Sequence, residues 1–539
     1  MSNHDVLASE VETLRTRVRL LEREIEQQSK QHRTELEARE HHIGVLQEYL
    51  RLSRAKRYGA SSEKLTADQL GLWLFNEAEQ WVDAEGIQPE DDEEENVLVA
   101  AHPRRKPGRR PLPPELPRVE ILHDLPEEEK VCAQGHALAE IGRDTSEQLE
   151  VIPAQIQVIR HVRPRYACPH CKDGVRVAPP PAQVLPKSQA GPGLLAYVAT
   201  CKYVDALPLY RQEQILQRYG IELQRATLAH WMVKLGAAVQ PLLNLMRDDL
   251  LESGFVQCDE TRFQVLKEPG KRAQSQSYLW AQRGEHEGRP ILLFDYDPSR
   301  SGEVPKRLLA GFEGTLQTDG YEGYPAVVSA QGLVHAGCWA HVRRKFDEAL
   351  KGQGHPKKKP SGKKAKAGQA LACIRKLYQI DRKLAELSAE ERARERRTRA
   401  GPVIEELRRW LDATLGEVTP QSLTGKALHY LDKQWPKLVR FLDDGRIPLD
   451  TNAVENAIRP FVMGRKNWLF ADTVRGAEAS ANLYSLLQSA KANGHEPFAY
   501  LRHVLQHLPT AATLDDYTVL LPHRLAPDDV PPVVNHGDR

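Results

Sequence analysis

Two sets of residues in this sequence could do chemistry, one of carboxylates and one of thiols with imidazole. Phe255-Val256-Gln257-Cys258-Asp259 reads as a strand that delivers a carboxylate at its end, and Gly314-Thr315-Leu316-Gln317-Thr318-Asp319 reads as another. Glu455 lies in DTNAVENAIRPFVMGRKNWLF, where Asn452 is placed to cap a helix and Glu455 falls in its first turn. Carboxylates on adjacent strand ends, joined by one from a helix, offer two divalent metals hard oxygen ligands and open positions for phosphate and water. Two such ions about 4 Å apart activate an attacking oxygen and stabilise a leaving one. A single Asp at a strand end is often only a turn former; the reading rests on all three together. Asn452, Asn456, Arg459, Arg465, Lys466 and Asn467 add a polar, basic neighbourhood suited to a phosphate backbone.

The second set is Cys132 and His136 in VCAQGH with Cys168 and Cys171 in YACPHC. Two ligand pairs brought together by a hairpin follow the logic of a zinc ribbon, with one structural zinc held tetrahedrally. Gly135 stands where a second Cys-x-x-Cys would place a cysteine, and His170 competes as a ligand. The alternative is a degenerate ribbon held by packing alone. Between the pairs, residues 155–163 alternate polar and apolar and predict a strand.

These side chains need elements to position them. Tyr278–Ala281 and Ile291–Asp295 read as the strands after the one bearing Asp259, and a short helix is expected around Lys306–Ala310. Val334–Cys338 is a fifth strand, followed by the basic helix WAHVRRKFDEAL. This element order is that of a ribonuclease-H-like fold, whose first and fourth strands are neighbours, so Asp259 and Asp319 are expected to face one another. The chain between Asp319 and Glu455 is longer than that fold needs and reads helical, which predicts an α-helical insertion over 346–445. Its lysine run at 356–366 is either a solvated loop or a DNA-tracking arm.

Toward the N-terminus, Leu7, Val11, Leu14, Val18, Leu21 and Ile25 are spaced like the seam of a coiled coil, which returns loosely through Leu36, Ile43, Leu46 and Leu50. The whole is expected to be a multidomain α/β chain. It runs as a coiled-coil helix (1–58), a linker with acidic and basic runs (59–118), a zinc-ribbon-like unit (119–185) and a helix-turn-helix-like DNA-binding region (186–250). The catalytic core follows (251–345 and 446–510), interrupted by the insertion, and a tail ends the chain (511–539).

Composition sets limits. Lysine plus arginine is 75 and aspartate plus glutamate 74 in 539 residues, a net charge of +1 that taken alone argues against nucleic acid. The sum averages an acidic run at 90–95 against basic blocks at 104–110, 343–345, 356–366 and 392–399, and phosphate binding depends on the blocks. No apolar run is long enough for a membrane span, and the charged N-terminus lacks a signal core. Seven cysteines in this length do not make a disulfide scaffold.

Taken together, RYGASSEKL (57–65), RRPLPPELPR (109–118), the CPHC ribbon, CDET (258–261), TDGYEGY (318–324), GCWAHVRRKF (337–346) and TNAVENAIRPFVMGRKNWLF (451–470) resemble the transposases of the insertion-sequence family numbered sixty-six. The resemblance covers nearly the whole chain. It implies a DDE transposase, with Asp259, Asp319 and Glu455 holding magnesium or manganese for cleavage at the element ends and strand transfer into target DNA. It further implies double-stranded DNA as partner, at least a dimer, accessory proteins of the same element, and a cytoplasmic, nucleoid-associated location. Trp339, His341, Arg343 and Arg344 are expected near DNA. With two candidate ligands, the Cys338-x-x-His341 motif reads as support for the active site and not as a metal site. Asp450-Thr451-Asn452 departs from the family's usual pair of asparagines. The competing readings are a catalytically silent DNA-binding scaffold and a nuclease without strand transfer.

Overall fold

With no proline and one glycine to interrupt it, the N-terminal segment builds a single long helix, α1 (Asn3–Tyr58), in the computed structural model, which describes residues 3–58, 156–167, 175–353 and 365–530. Val18, Leu21, Ile25, Leu36, Ile43 and Leu46 remain between 47 % and 63 % exposed, so this protomer does not cover its own seam. The C-terminal end of α1 is docked. Leu52 is buried, and the Tyr49 hydroxyl donates to the Gln421 carbonyl at 3.4 Å.

The chain divides into two units, residues 1–86 with 182–531 and residues 87–181 with 532–539. In the second, β1 (Arg165–Ala167) and β2 (Val175–Val177) form an antiparallel hairpin. The strand expected over 155–163 is not seen among the described residues: 156–164 carry no ladder hydrogen bonds, and Val158 and Val162 are 95 % and 76 % exposed. Alternation makes a strand only where a neighbour pairs with it and covers one face. The ladder starts past Pro164, which has no N–H to give. Cys132, His136, Cys168 and Cys171 lie outside the described residues, as does the lysine run up to 364.

After α1, the first unit continues with α2 (Pro192–Tyr203), α3 (Leu209–Arg218), α4 (Arg225–Ala238) and α5 (Gln240–Leu251). The expected helix-turn-helix pair is α3 and α4. Its second helix buries Leu228, Trp231, Met232 and Leu235, and leaves Arg225, His230 and Lys234 exposed. Then come β3 (Phe255–Lys267), β4 (Gln276–His286), β5 (Arg289–Asp297), α6 (Glu303–Leu308), β6 (Thr315–Gln317), α7 (Tyr324–Gln331) and β7 (Val334–Ala336). The short helix thus starts at Glu303, a turn earlier than expected. The sheet order is β5-β4-β3-β6-β7, with β3, β4 and β5 antiparallel and β6 and β7 running parallel to β3.

Next, α8 (Trp339–Gln353), α9 (Lys366–Lys383), α10 (Ala389–Arg399), α11 (Gly401–Leu415) and α12 (Leu423–Leu438) enclose an apolar core of their own, including Phe346, Ile374, Leu407, Leu411 and Leu428. The chain returns to the sheet through α13 (Asn452–Trp468), β8 (Ala471–Thr473), α14 (Val474–Ala492), α15 (Pro497–His507) and α16 (Leu514–Thr518). The stretch after 511, expected as a tail, is packed: Leu520 and Leu521 are buried in the sheet's core as far as the structure describes it. Among the described residues no helix is long and apolar enough to cross a membrane.

The open edge of β5 is closed by a helix. Ser485 and Ser489 accept the Phe294 and Leu292 N–H groups at 2.8 and 2.9 Å, and Asn493 donates to the Pro290 carbonyl at 2.8 Å. Four residues of helix advance about 6 Å and two of strand about 6.6 Å, so this spacing keeps pace with the edge. A sheet edge that would otherwise offer bare backbone groups is satisfied.

Candidate active site

The parallel pairing of β3 with β6 is short. Phe255, Val256 and Gln257 face Thr315, Leu316 and Gln317, and beyond them β6 ends while β3 continues along β4. Asp259 and Asp319 each stand two residues past the last pair, so side-chain alternation puts both on the same side of the sheet, beside the gap where the strands part. Asp259 is therefore not at a strand end as expected; it is the fifth residue of a 13-residue strand, because β4 pairs with β3 through Gln264. The approach of β6 is permitted by Gly314, with φ of +129°, where an added Cβ would lie 2.2 Å from the Gly254 carbonyl oxygen.

Under the two aspartates lies a buried glutamine pair that sequence reasoning missed. Gln257 Nε2 donates to Gln317 Oε1 at 2.7 Å and to the Asp450 carbonyl at 3.0 Å. Gln317 Nε2 donates to the Gly337 and Pro448 carbonyls at 3.0 and 2.8 Å. This pair ties both strands to the loop entering α13 and to the residue before Cys338. The signal was available: Gln-x-Asp occurs in both strands.

That loop presents Glu455 in the first turn of α13, buried at 6 % exposure. Thr451, not Asn452, is the residue before the helix, and its hydroxyl donates to Glu455 Oε1 at 2.6 Å instead of capping the backbone. Asp450 accepts the Asn452 N–H at 3.1 Å and the Tyr378 hydroxyl at 2.8 Å, which orients the turn. Glu455 Oε2 is buried and has no hydrogen-bond partner among the described residues.

The electrostatics are those of crowded acids. Burial first, then Glu455, Glu260 and Asp319, push the Asp259 carboxyl well above the usual range. Burial raises Asp319, with Arg300, Arg344 and Lys437 pulling the other way. Burial also lifts Glu455 to about 7 against the Thr451 hydrogen bond and Arg344. Glu260, also overlooked in the sequence, is a fourth acid but a satisfied one. Arg300 Nε donates to it at 2.8 Å, the Tyr324 hydroxyl at 2.8 Å, and the guanidinium stacks 4.0 Å from the Tyr321 ring.

The other expected site residues divide. His341 Nδ1 lies 3.9 Å from Glu455 Oε1; burial, then Arg344 and Lys345, lower the imidazole to about 3, so the contact is between a neutral ring and the acid. Arg343 and Arg344 are half-buried in the second turn of α8, and Arg344 contributes positive potential to Asp319 and Glu455. Trp339 does not face DNA: it is 1 % exposed and its indole N–H donates to the Leu438 carbonyl at 3.0 Å, anchoring α8 to α12. Arg459 is half-buried one turn below Glu455. Arg465, Lys466 and Asn467 are about 15 Å further along the helix. There Arg465 bonds the Arg262 carbonyl and Asn467 the Ala206 carbonyl, so they do not share the acids' immediate surroundings.

Comparison with known sequences matches four family profiles along the chain. The Transposase IS66 family covers residues 187–479, the zinc-finger binding domain of transposase IS66 covers 129–172, the Transposase C of IS166 homeodomain covers 45–121 and the IS66 C-terminal element covers 485–523. The uncharacterized protein y4jD of Sinorhizobium fredii is 35 % identical over 431 residues, 78 % of this chain and 82 % of its own. The uncharacterized protein y4qI of the same organism is 32 % identical over 504 residues, 90 % of each chain.

Proposed function

We propose that this chain, which belongs to the IS66 transposase family, cleaves DNA at the ends of its element and joins them to target DNA through Asp259, Asp319 and Glu455. One observation carries the reading: the carboxylates from β3, the exit of β6 and the first turn of α13 lie near enough for Glu455 and Asp319 to raise Asp259 and for Asp319 to raise Glu455. The sheet order supports a ribonuclease-H-like core, and α9–α12 support a helical insertion into it.

The residues fit a hard divalent cation such as magnesium or manganese. The donors are oxygens, Glu455 Oε2 lacks a hydrogen-bond donor among the described residues, and burial, with neighbouring acids at Asp259 and Glu455, makes the acids hold protons more tightly than usual. Asp259, Asp319 and Glu455 would hold the ion. When bound, it would activate water or a 3′-hydroxyl for attack on phosphorus and neutralise the charge that develops.

The chain's own part is positioning. The Gln257–Gln317 pair locks the two strand carboxylates to the turn carrying Glu455, and chemistry of this kind depends on such pre-organisation. Arg300, Arg344 and Lys437 supply positive potential beside Asp319 that favours a phosphate. The exposed seam of α1 serves self-association, which brings two element ends together. The finger residues Cys132, His136, Cys168 and Cys171, inside the matched zinc-finger region, would hold a structural zinc and serve recognition of the ends.

The test uses labelled element-end duplexes with magnesium and a target plasmid. Wild type nicks and joins; Asp259→Asn and Glu455→Gln lose nicking by about 10³-fold or more while retaining DNA binding. Metal-dependent nicking by both variants overturns the triad. Nicking without joining selects the nuclease reading, and binding without nicking in wild type selects the silent scaffold.

A further inference from the structure

The Cys338-x-x-His341 spacing offers two metal ligands, and the fold adds a third. Cys338 immediately precedes α8 and His341 is in its first turn, so Sγ and the imidazole lie on one side of the helix start. The entry to α13 is laid against them. Cys338 Sγ accepts the Thr451 N–H at 3.4 Å and lies 3.3 Å from Thr451 Oγ1, whose proton goes to Glu455, and this brings Glu455 alongside. One ligand atom each of Cys338, His341 and Glu455 lie within 4.8 Å of one another. Asp259 and Asp319 offer hard oxygens only, whereas this set mixes thiol, imidazole and carboxylate.

We propose that Cys338, His341 and Glu455 form a binding site for a soft divalent cation of the zinc class, which takes Glu455 away from Asp259 and Asp319 and so switches the DNA chemistry off. Zinc with three such protein ligands holds them at about 2.0–2.3 Å and keeps a fourth position for water. Ligand atoms around such an ion stand roughly 3.5 Å apart, which the side chains reach by small rotations. Thiolate and imidazole select zinc over magnesium, so the two ions read different parts of one pocket. Binding expels the Cys338 thiol proton to solvent and displaces the Thr451 hydroxyl that now bridges sulfur and carboxylate. The Glu455 carboxylate, nine-tenths buried with Oε2 lacking a hydrogen-bond partner among the described residues, is the shared ligand. His341, whose side chain is 19 % exposed, gives the ion a way in.

The inhibitory half of this proposal rests on the function proposed above, and the binding half does not. The test is cobalt(II) titration of the full-length wild-type protein and Cys338→Ser, followed through the thiolate-to-cobalt charge-transfer band. The finger cysteines are present in both, so the difference isolates Cys338. Wild type should take up one more thiolate-bound equivalent than Cys338→Ser, whose affinity at this position falls about 100-fold. Asp259→Asn should keep that equivalent and Glu455→Gln should bind it more weakly. In magnesium, added zinc should depress wild-type cleavage about tenfold or more relative to its zinc-free rate, and should depress whatever rate Cys338→Ser retains, relative to its own zinc-free rate, far less. If Cys338→Ser does not fold by circular dichroism, His341→Gln takes its place in both assays. Equal cobalt uptake in wild type and variant overturns the site. The extra equivalent without zinc inhibition overturns the switch. If no protein cleaves DNA, the cobalt difference still judges the site, and the proposed function fails separately.

Discussion

Asp249 is a buried carboxylate and Asp259 a half-buried one, and the protein treats them in opposite ways. Asp249, near the end of α5, receives Arg524 at 2.6 and 3.0 Å and His523 Nε2 at 2.7 Å. Burial pushes its carboxyl up, but those hydrogen bonds and charges outweigh burial and hold it below the usual range. Asp259 has the Glu260 N–H at 2.8 Å and, beyond that, acids for neighbours, so burial and repulsion act together. A carboxylate that fastens the fold is neutralised by the chain itself; Asp259, an ion ligand in the proposed function, is left short of positive charge. Glu260 marks the boundary, adjacent to Asp259 yet matched by Arg300 and Tyr324.

The sharpest way to break this comparison is to delete each acid in turn and measure stability without divalent ions. Asp249→Ala strands Arg524 and the buried His523, frees the segment around Leu521 and should cost about 3–5 kcal/mol. Asp259→Asn removes a charge that its neighbours repel, and its urea midpoint should equal or exceed that of wild type. If Asp259→Asn is the more damaging change, the acids of the site are structural after all.

A somewhat smaller effect comes from supplying the missing charge. Magnesium at about 100 times its dissociation constant should stabilise wild type by about 2.7 kcal/mol over an EDTA control. Asp249→Ala, though weakened, should gain the same amount, while Asp259→Asn and Glu455→Gln should gain little. Thermal-shift curves of the four proteins decide it; an equal magnesium gain in Asp259→Asn would remove that residue from the ion's ligands.

How much of this was legible in the sequence follows from the range of each interaction. The strands and helices of the sheet unit were readable because apolar periodicity is local, as in Ile291–Phe294 or the face of α12. The pairing of β3 with β6 was readable too, since strand order follows from element order. What local pattern does not carry is the partner. Residues 156–163 alternate like a strand but have no neighbour to pair with among the described residues. Trp339 reads as an exposed aromatic in a basic helix until α12 covers it. The Arg524–Asp249 clasp joins residues 275 apart in the chain, so the final stretch read as a tail. Gln257 and Gln317 were in view beside each aspartate, yet glutamine in a strand carries no charge signal, and only burial reveals that it is a fastener.

The last and smallest effect is in the pH dependence of stability, taken as wild type minus Glu455→Gln in the absence of divalent ions so that other titrating groups cancel. In the unfolded chain Glu455 loses its proton near its ordinary value of 4.5, whereas in the folded protein burial holds that proton until about pH 7. Between those values the folded state binds more protons than the unfolded state, so wild-type stability falls relative to Glu455→Gln as pH rises, and levels off above about 7. Asp249 gives the opposite sign. Its folded pKa is depressed, so its contribution is complete above the unfolded value of 3.8 and is lost as pH falls through the folded one; Asp249→Ala should lack that acid limb. Saturating magnesium should flatten the Glu455 window, since an ion on the carboxylate competes with the proton, and should leave the Asp249 limb unchanged. A Glu455 difference curve that slopes upward with pH would mean that this carboxylate is already paired with a cation of the chain, and the contrast between the two sites would collapse.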